Sequence, residues 1–317
     1  VLDEPTSSLD EETEKSFLKM PQTKVIKIGT RGSDLALWQA NFVRQELEDR
    51  GHQVEITVIK TQGDKIQHLS FDKMEGKGFF TKEIENSLLN EDVDLAIHSH
   101  KDLETNQPEG LEIAAVSSRA NPCELLLIRK PAHEEQALWG LKKDAVVGTS
   151  SARRKSQLLA LRPDVKIKDL RGNVPTRVDK LKSGEYDAIL LAKAGVLRLQ
   201  LELEGLVGID LTPDEFVPAP AQGVLALQIR SNDTALRLLL SEINDPEVQK
   251  IVHLERSVLN LMDGGCQLPL GVYCDNKYVH VSFSDDALHP SRYFRFPYKD
   301  EQDFPKKIVE HLQHQQV

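Results

Sequence analysis

Short apolar segments alternate with amphipathic stretches along most of the chain. From Lys24 onward, brief apolar runs are separated by segments in which apolar side chains recur every three or four positions. This pattern predicts strands at 25–28, 54–60 and 94–99, a helix that begins after the N-cap Ser33 and ends near Gly51, and a helix near 81–90. Strands that alternate with helices are typical of an α/β domain.

The same alternation restarts beyond about residue 120 and predicts a second α/β unit. Its strand-like segments are 124–130, 145–151, 166–172 and 187–195, with helices over 152–161 and 174–183. The proline-rich FVPAPAQG at 216–223 predicts a crossing segment that leads into a strand, VLALQIR. Helical patterns over 232–243 and 246–261, further strand-like segments and a last helix after Asp303 predict a smaller α+β region.

Composition and charge narrow the classes of function. Hydrophobic residues make up 39% and charged residues 28% of the 317, which is ordinary for a globular protein. No apolar run approaches the roughly 20 residues of a membrane span, and no basic-then-apolar leader is visible, so we expect a cytoplasmic protein. The net charge of −10 disfavours broad attraction to nucleic acid or to an anionic membrane.

The first residues, VLDEPTSSLDEET, resemble the Walker B end and following loop of ABC-type ATPases, with Asp3 and Glu4 in the positions of its two carboxylates. Nucleotide hydrolysis also needs a phosphate loop, and no GxxxxGK[ST] occurs in the chain. We therefore expect residues 1–23 to be an extraneous or disordered acidic tail, and a chain that begins at Met20 to keep its stability and activity.

Basic residues next to small polar ones predict a site for a compact polyanion. GTSSARRKSQL (148–158) and RGNVPTRVDKL (171–181) each place arginines at the start of a predicted helix, where positive charge opposes the helix dipole unless an anion lies nearby. GTRGSDLALWQ (29–39) offers Arg31 and Ser33 in a similar way, although a capped helix with a solvated arginine fits it about equally well. Guanidinium groups pair well with carboxylates and phosphates.

Two further motifs carry reactive side chains. HSHKDLET (98–105) places Lys101 and Asp102 after a strand, where α/β sheets bind ligands, although alone it fits a surface ion pair. Three cysteines do not form a disulfide framework or a paired metal site. Cys123 and Cys274 fit small buried hydrophobic residues, whereas Cys266 follows two glycines, and its thiol could carry a covalently attached ligand.

Taken in order, these motifs resemble the porphobilinogen deaminase (hydroxymethylbilane synthase) family from about Lys24 to the C-terminus. The matching elements are GTRxSxLAL, HSxKD, GTSSxRR, RGNVxTR, a proline-rich segment ending in QG, ER at 255–256, and GGC. The resemblance implies two α/β domains folded like type 2 periplasmic binding proteins, with an active site between them, and a smaller α+β C-terminal domain. The implied limits are 24–117 with 217–241 for the first domain, 118–216 for the second and 242–317 for the third.

The resemblance also implies the chemistry. Four porphobilinogen molecules join into linear hydroxymethylbilane with loss of ammonia, on a dipyrromethane cofactor held by a thioether to Cys266. Loss of the aminomethyl nitrogen creates an electron-poor azafulvene, which a carboxylate can stabilise. Asp102 matches the catalytic carboxylate. The implied partners are porphobilinogen and the growing oligopyrrole chain, with no metal, nucleic acid or membrane, and the protein is expected to be a monomer.

The residues carried over by this resemblance fall into two groups. Those implied to bind the cofactor, besides Cys266, are Ser33, Lys101, Asp102, Thr149, Ser150, Ser151, Arg153, Arg154, Arg171 and Gly172. Those implied to bind substrate are Arg31, Lys73, Lys77, Phe80, Arg177, Arg198 and Gln222.

The sequence departs from the usual family pattern at three places, and two other functions are alternatives. Ala221 stands where the family usually has glycine, with a strained turn as the expected consequence, Gln228 stands where glutamate is usual, and Leu-Glu-Thr follows HSHKD where Val-Pro-Thr is common. A non-enzymatic anion receptor of the periplasmic type is the main alternative, and it predicts no covalent adduct. Nucleotide hydrolysis is the third possible function.

Overall fold

The computed structural model describes residues 25–61, 81–265 and 267–314. Its strands are β1 (Ile26–Thr30), β2 (Val54–Val58), β3 (Leu95–Ser99), β4 (Leu111–Val116), β5 (Glu124–Arg129), β6 (Val146–Gly148), β7 (Lys166–Lys168), β8 (Ala188–Ala192), β9 (Leu206–Leu211), β10 (Leu225–Arg230), β11 (Leu270–Cys274), β12 (Tyr278–Phe283) and β13 (Arg292–Pro297). Its helices are α1 (Asp34–Glu48), α2 (Lys82–Leu89), α3 (Ala152–Leu161), α4 (Val174–Lys182), α5 (Lys193–Arg198), α6 (Thr234–Leu240), α7 (Pro246–Leu261) and α8 (Phe304–His314).

The first α/β domain is built on a five-stranded sheet in the order β2-β1-β3-β10-β4. β1 runs parallel to β2 and β3, whereas β10 is antiparallel to β3 and β4. The apolar stripe of α1, formed by Ala40, Val43 and Leu47, packs with the strand residues Ile28 and Leu95 in one buried cluster. The regular spacing of that stripe is what fixes α1 against the sheet.

The second α/β domain repeats this plan with the order β7-β6-β8-β5-β9. β6 is parallel to β7 and β8, and β5 is antiparallel to β8 and β9. In each sheet the antiparallel inner strand, β10 or β5, follows a segment that has just crossed from the other sheet. This exchange is the topology of type 2 periplasmic binding proteins, so the predicted α/β class is confirmed.

The C-terminal domain is a three-stranded antiparallel sheet, β11-β12-β13, covered by α7 and α8. Val258, Val272, Phe283 and Leu312 are among its buried core residues. The predicted smaller α+β unit is therefore confirmed. Within the described ranges, no helix is long and apolar enough to cross a membrane.

Two crossing segments, the first at 117–123 between β4 and β5 and the second at 212–224 between β9 and β10, touch where they pass between the α/β domains. The amide of Ala120 donates to the carbonyl of Gly223 at 3.1 Å. Gly223 has φ +90°, and a Cβ there would lie 2.6 Å from the Ala120 carbonyl oxygen. Only glycine combines this backbone angle with such a close approach, so the QG pair of the proline-rich segment is a structural requirement of the crossing.

Candidate active site

The arginine pair at the start of α3 is buried and binds a carboxylate that no sequence motif indicated. Glu124, the first residue of β5, is fully buried and accepts a bond from Arg153 Nη2 at 2.5 Å and from Arg154 Nη2 at 2.7 Å. The remaining Nη1 groups donate to the carbonyls of Val217 and Leu190. The pair is thus fixed by internal contacts before any ligand arrives.

Opposing effects on the Glu124 carboxylate show how strongly it is held. Burial raises its pKa, but Arg154 and Arg153 outweigh burial and bring the pKa to about 2. Glu124 is therefore ionised at neutral pH and compensates one of the two guanidinium charges. The Nε of Arg154 is buried and has no hydrogen-bond partner in the described structure.

Lys101 joins this cluster from the first domain. Its Nζ donates to Gln222 Oε1 at 3.2 Å, and Gln222 Nε2 donates to the Pro122 carbonyl at 2.9 Å. Burial lowers the pKa of Lys101, and the charges of Asp102 and Glu124 oppose that shift. With Lys101 protonated, Glu124, Lys101 and the arginine pair carry a net charge of +2, which suits an anion with more than one carboxylate.

Asp102 lies at the end of a 3-10 turn, His100–Asp102, directly after β3. Its side chain is exposed, in contrast to its buried neighbours His100 and Leu103. The pKa of Arg177 is lowered to about 10, mainly by burial and also by the charges of Arg154 and Arg171. The charge of Asp102 acts in the opposite direction and raises this pKa. The structure therefore brings Asp102 of the first domain close to the arginines of the second.

The two histidines of the HSHKD motif are held neutral. Burial lowers the pKa of His98 to about 4, and its Nε2 lies 3.1 Å from Gln228 Oε1. Burial, followed by the charge of Arg256, lowers the pKa of His100 well below its usual range. Since Gln228 Nε2 donates to Gln107, its Oε1 accepts from His98, which fixes the proton on Nε2 of that ring.

The N-terminus of α3 is arranged to receive an anion. Ser151 occupies the N-cap position without a side-chain capping bond, and the first turn contains no acidic residue. Ser150 instead bonds the backbone of Leu170, and Thr149 is buried with its Oγ1 accepting from the Ser151 amide. The first amides of α3 thus lack a capping side chain and add to the positive potential of the arginine pair.

The next loop supplies Arg171, Gly172 and Arg177. Asn173 caps α4 by accepting from the Thr176 amide, and Arg177 Nε donates to the Gly172 carbonyl at 2.7 Å. Gly172 has φ +112°, and a Cβ there would come within 2.8 Å of Thr176, so glycine is required. The loop therefore holds Arg177 against its own backbone, within electrostatic reach of Asp102.

Arg31 and Ser33 lie at the corresponding end of β1. Ser33 caps α1, with its Oγ accepting from the Ala36 amide at 3.4 Å, and the charge of Arg31 contributes to the lowered pKa of His98. Arg31 is therefore close to β3, the strand that leads to Asp102.

Arg198 has different surroundings from the arginine pair. Its guanidinium lies 5.5 Å from the ring centre of Trp38, and its Nη2 donates to the Gly223 carbonyl at 2.8 Å. It lines a cavity of about 310 Å³ between α1, α5 and the first crossing segment. Burial alone lowers its pKa to about 10. The described contacts do not join Arg198 to Arg153, Arg154 or Arg177.

Glu255 of the ER motif connects several segments of the chain through hydrogen bonds. Glu255 is fully buried and accepts from Arg119 at 2.9 and 2.5 Å, from the Ala221 amide at 2.8 Å and from the Cys274 amide at 3.0 Å. It therefore links both crossing segments to the C-terminal domain. Ala221 has φ +64°, so its turn is one that glycine would adopt more easily, as expected from the sequence.

Four of the predicted residues, Lys73, Lys77, Phe80 and Cys266, lie outside the described residues, as does the tail over 1–23. The glycines before the cysteine are described and differ from each other. A Cβ on Gly264 would meet Leu268 at 2.6 Å, whereas a Cβ on Gly265 would meet no atom within 4 Å. The backbone directly before Cys266 thus adjoins open space.

The chain is similar to known proteins of one family. Residues 26–238 match the protein-family model described as "Porphobilinogen deaminase, dipyromethane cofactor binding domain". Curated relatives named porphobilinogen deaminase include one from Maridesulfovibrio salexigens, 46% identical over 78% of this chain and 79% of its own, and one from Bacillus subtilis, 42% identical over 79% of each.

Solved structures resemble the chain only loosely. The periplasmic VFT2 domain of BvgS from Bordetella pertussis covers 80% of this chain and all of its own, with a TM-score of 0.41 and 16% identity. YhfZ from Shigella flexneri covers 76% of this chain and 97% of its own, with a TM-score of 0.35 and 18% identity. These values are too low to support any statement about ligands. The family match and the curated relatives are sufficient by themselves: the chain belongs to the porphobilinogen deaminase family.

Proposed function

We propose that this protein condenses four porphobilinogen molecules, releases one ammonia for each addition, and frees the linear hydroxymethylbilane from the cofactor by hydrolysis with one water. The observation that carries the proposal is the meeting of an exposed carboxylate, Asp102, with a desolvated basic cluster formed by Lys101, Arg154 and Arg177. Each porphobilinogen brings an acetate and a propionate, so both substrate and product chain are polyanions. Such a cluster binds them in a region of reduced dielectric, where each pairing is strengthened.

The donors at the site fit a dipyrromethane cofactor. Its carboxylates match the uncapped amides of α3 and the ammonium of Lys101. We propose that Cys266 holds the group through a thioether, and that Ser33, Thr149, Ser150, Ser151 and Gly172 complete its surroundings. When bound, the cofactor supplies the pyrrole carbon to which the first substrate is joined.

In each addition a carbon–carbon bond forms to the aminomethyl carbon of porphobilinogen and its carbon–nitrogen bond breaks. Ammonia leaves, and the attacking pyrrole carbon loses a proton. We propose that Asp102 stabilises the positive charge that develops on the substrate pyrrole and assists proton transfer. Because His98 and His100 are neutral and buried, Asp102 is the group best placed for this role.

Substrate carboxylates are proposed to pair with Arg31, Arg177 and, on the segment outside the described residues, Lys73 and Lys77. Phe80 is proposed to lie against the pyrroles, and Gln222 to orient Lys101. The remaining proposals follow the family resemblance: Arg171 contacts the cofactor, Arg198 contacts the chain during elongation, the domain limits are 117/118, 216/217 and 241/242, and the protein acts as a cytoplasmic monomer.

The test is turnover of porphobilinogen by wild-type protein and by Asp102→Asn. Wild-type protein should release four ammonia for each hydroxymethylbilane formed. Asp102→Asn should bind substrate but lose roughly 100-fold or more of its turnover, the usual scale for a general acid or base. Asp300→Asn, which alters an exposed ion pair with Lys250, serves as the matched control and should turn over normally. Near-normal product formation by Asp102→Asn would remove Asp102 from the mechanism.

A further inference from the structure

The C-terminal domain contacts the candidate active site from two sides. One contact reaches the turn that carries Asp102 in the first α/β domain. The other reaches the helix α3 that begins with the arginine pair in the second. Arg256 and Ser291, which make most of these hydrogen bonds, are largely buried, so the geometry of their bonds is strongly constrained, whereas Tyr293 is more exposed.

Arg256 makes the first contact. This largely buried residue of α7 donates Nη1 to the His100 carbonyl at 2.7 Å and Nη2 to the carbonyls of Leu103 at 3.0 Å and Glu104 at 2.7 Å. The three carbonyls surround the short segment that carries Lys101 and Asp102. A single planar guanidinium thus closes the loop on which the proposed catalytic carboxylate lies.

Ser291 and Tyr293 make the second contact. The Ser291 amide donates to the Ser156 carbonyl at 2.9 Å, and its Oγ donates to Ser156 Oγ at 2.8 Å. The hydroxyl of Tyr293 donates to Gln157 Oε1 at 3.3 Å. Ser156 and Gln157 are fully buried on α3, one turn beyond the arginine pair.

The second contact extends to the crossing segment. Gln157 exchanges two hydrogen bonds with the backbone of Val217, at 2.8 and 2.9 Å, and Arg153 donates to the same Val217 carbonyl. A displacement of β13 would therefore shift α3, the crossing segment and the arginine pair together.

We propose that Arg256, Ser291 and Tyr293 are positioning residues through which the C-terminal domain holds the two halves of the active site in register. This inference rests on the proposed function. Arg256 acts on Asp102, so its loss should affect the chemical step. Ser291 and Tyr293 act on α3, whose amides and arginine pair are proposed to hold the cofactor to which substrate is joined, so their loss should weaken the binding of substrate beside it.

The experiment compares kcat and KM for porphobilinogen in matched variants. Arg256→Met should lower kcat by about 10-fold or more with KM within about threefold, since transition-state and ground-state effects separate in this way. Ser291→Ala combined with Tyr293→Phe should raise KM by about fivefold with kcat within about twofold. Arg256→Lys keeps the positive charge but can make fewer hydrogen bonds, so its kcat should lie between those of wild type and Arg256→Met. This variant also tests the proposal if Arg256→Met does not fold.

Controls of the same chemical type lie in the same domain. Arg295 is exposed and stacks on Tyr278, and Ser284 donates to the His289 carbonyl within its own domain. Arg295→Met, Ser284→Ala and Tyr278→Phe should therefore leave both constants unchanged. Hydrogen exchange gives a second readout that needs no activity: Arg256→Lys should increase exchange at 100–105, and the double variant at 152–157.

Two results would overturn the proposal. One is that kcat and KM per folded molecule stay at wild-type values in all three bridging variants, which would make the contacts structural only. The other is unchanged exchange in both segments. If wild-type protein fails to consume porphobilinogen, the proposed function fails, while the exchange measurements still decide whether the C-terminal domain holds the two elements.

Discussion

Glu124→Gln tests whether the arginine pair depends on its buried carboxylate. The substitution keeps the shape of the side chain but removes the only carboxylate bonded to Arg153 and Arg154 in the described structure. Breaking a buried ion pair by removing one partner typically costs about 3–5 kcal/mol, because the remaining charge stays buried without compensation. The pKa shift of Glu124 indicates a similar contribution to the free energy of unfolding, since a pKa lowered from 4.5 to about 2 corresponds to about 3 kcal/mol.

The pH dependence of this effect has a defined sign. The native pKa of Glu124 lies below the unfolded value, so its stabilisation is complete above about pH 4.5 and is lost as pH falls through about 2. Urea unfolding at pH 7 should therefore show a large loss for Glu124→Gln, and the loss should shrink toward pH 2. The variant should also gain more stability than wild type from bound polyanion, which replaces the missing negative charge.

The control is Glu112→Gln, which breaks a partly exposed ion pair with Arg237 and should cost much less than Glu124→Gln. A loss for Glu124→Gln no larger than that of the control, or a loss independent of pH between 7 and 2, would refute the reasoning. Either result would mean that the arginine pair does not rely on Glu124 for compensation.

Three further predictions concern the glycines and the first residues. Gly264→Ala should destabilise the protein by about 1–3 kcal/mol, because its methyl would overlap Leu268. Gly265→Ala should show wild-type stability in thermal unfolding, since its methyl would meet no atom. Equal stability of the two variants would contradict this prediction. Gly223→Ala should lower the unfolding free energy by about 2 kcal/mol or more, since it combines a positive φ with a backbone clash, and a neutral result would show that the crossing segments can separate. A chain that begins at Met20 should keep wild-type turnover and melting temperature, because the family match begins at residue 26; a clear loss of either would give the first residues a role.

Long amphipathic helices and strongly apolar strands were predictable from periodicity. The helices over 152–161 and 246–261 occur at the predicted residues. The second has a regular apolar stripe and begins after the N-cap Asp245, whereas the first was indicated by the small-residue turn before it, since its buried face is mostly polar. The strands β4 and β9 were not anticipated. β9 is partly exposed and contains Gly208, so its sequence lacks the apolar run that marks a buried strand.

The candidate site was predictable only as a set of motifs. The sequence indicated that Arg153 and Arg154 open a helix, and the dipole argument pointed to an anion there. It did not indicate Glu124, since one acidic residue before a run of leucines is unremarkable until the fold places it between two guanidiniums. Likewise, Arg256 was visible only as part of a motif, because its three carbonyl partners lie about 150 positions away in sequence.

The most direct test of the proposed function is the intact mass of the purified protein, measured for wild type and for Cys266→Ser before and after incubation with porphobilinogen. Wild-type protein should carry an excess equal to one dipyrromethane and gain further pyrrole units with substrate, while Cys266→Ser should keep the mass of its polypeptide throughout. A wild-type chain that remains unmodified in the presence of porphobilinogen would contradict the proposed deaminase activity.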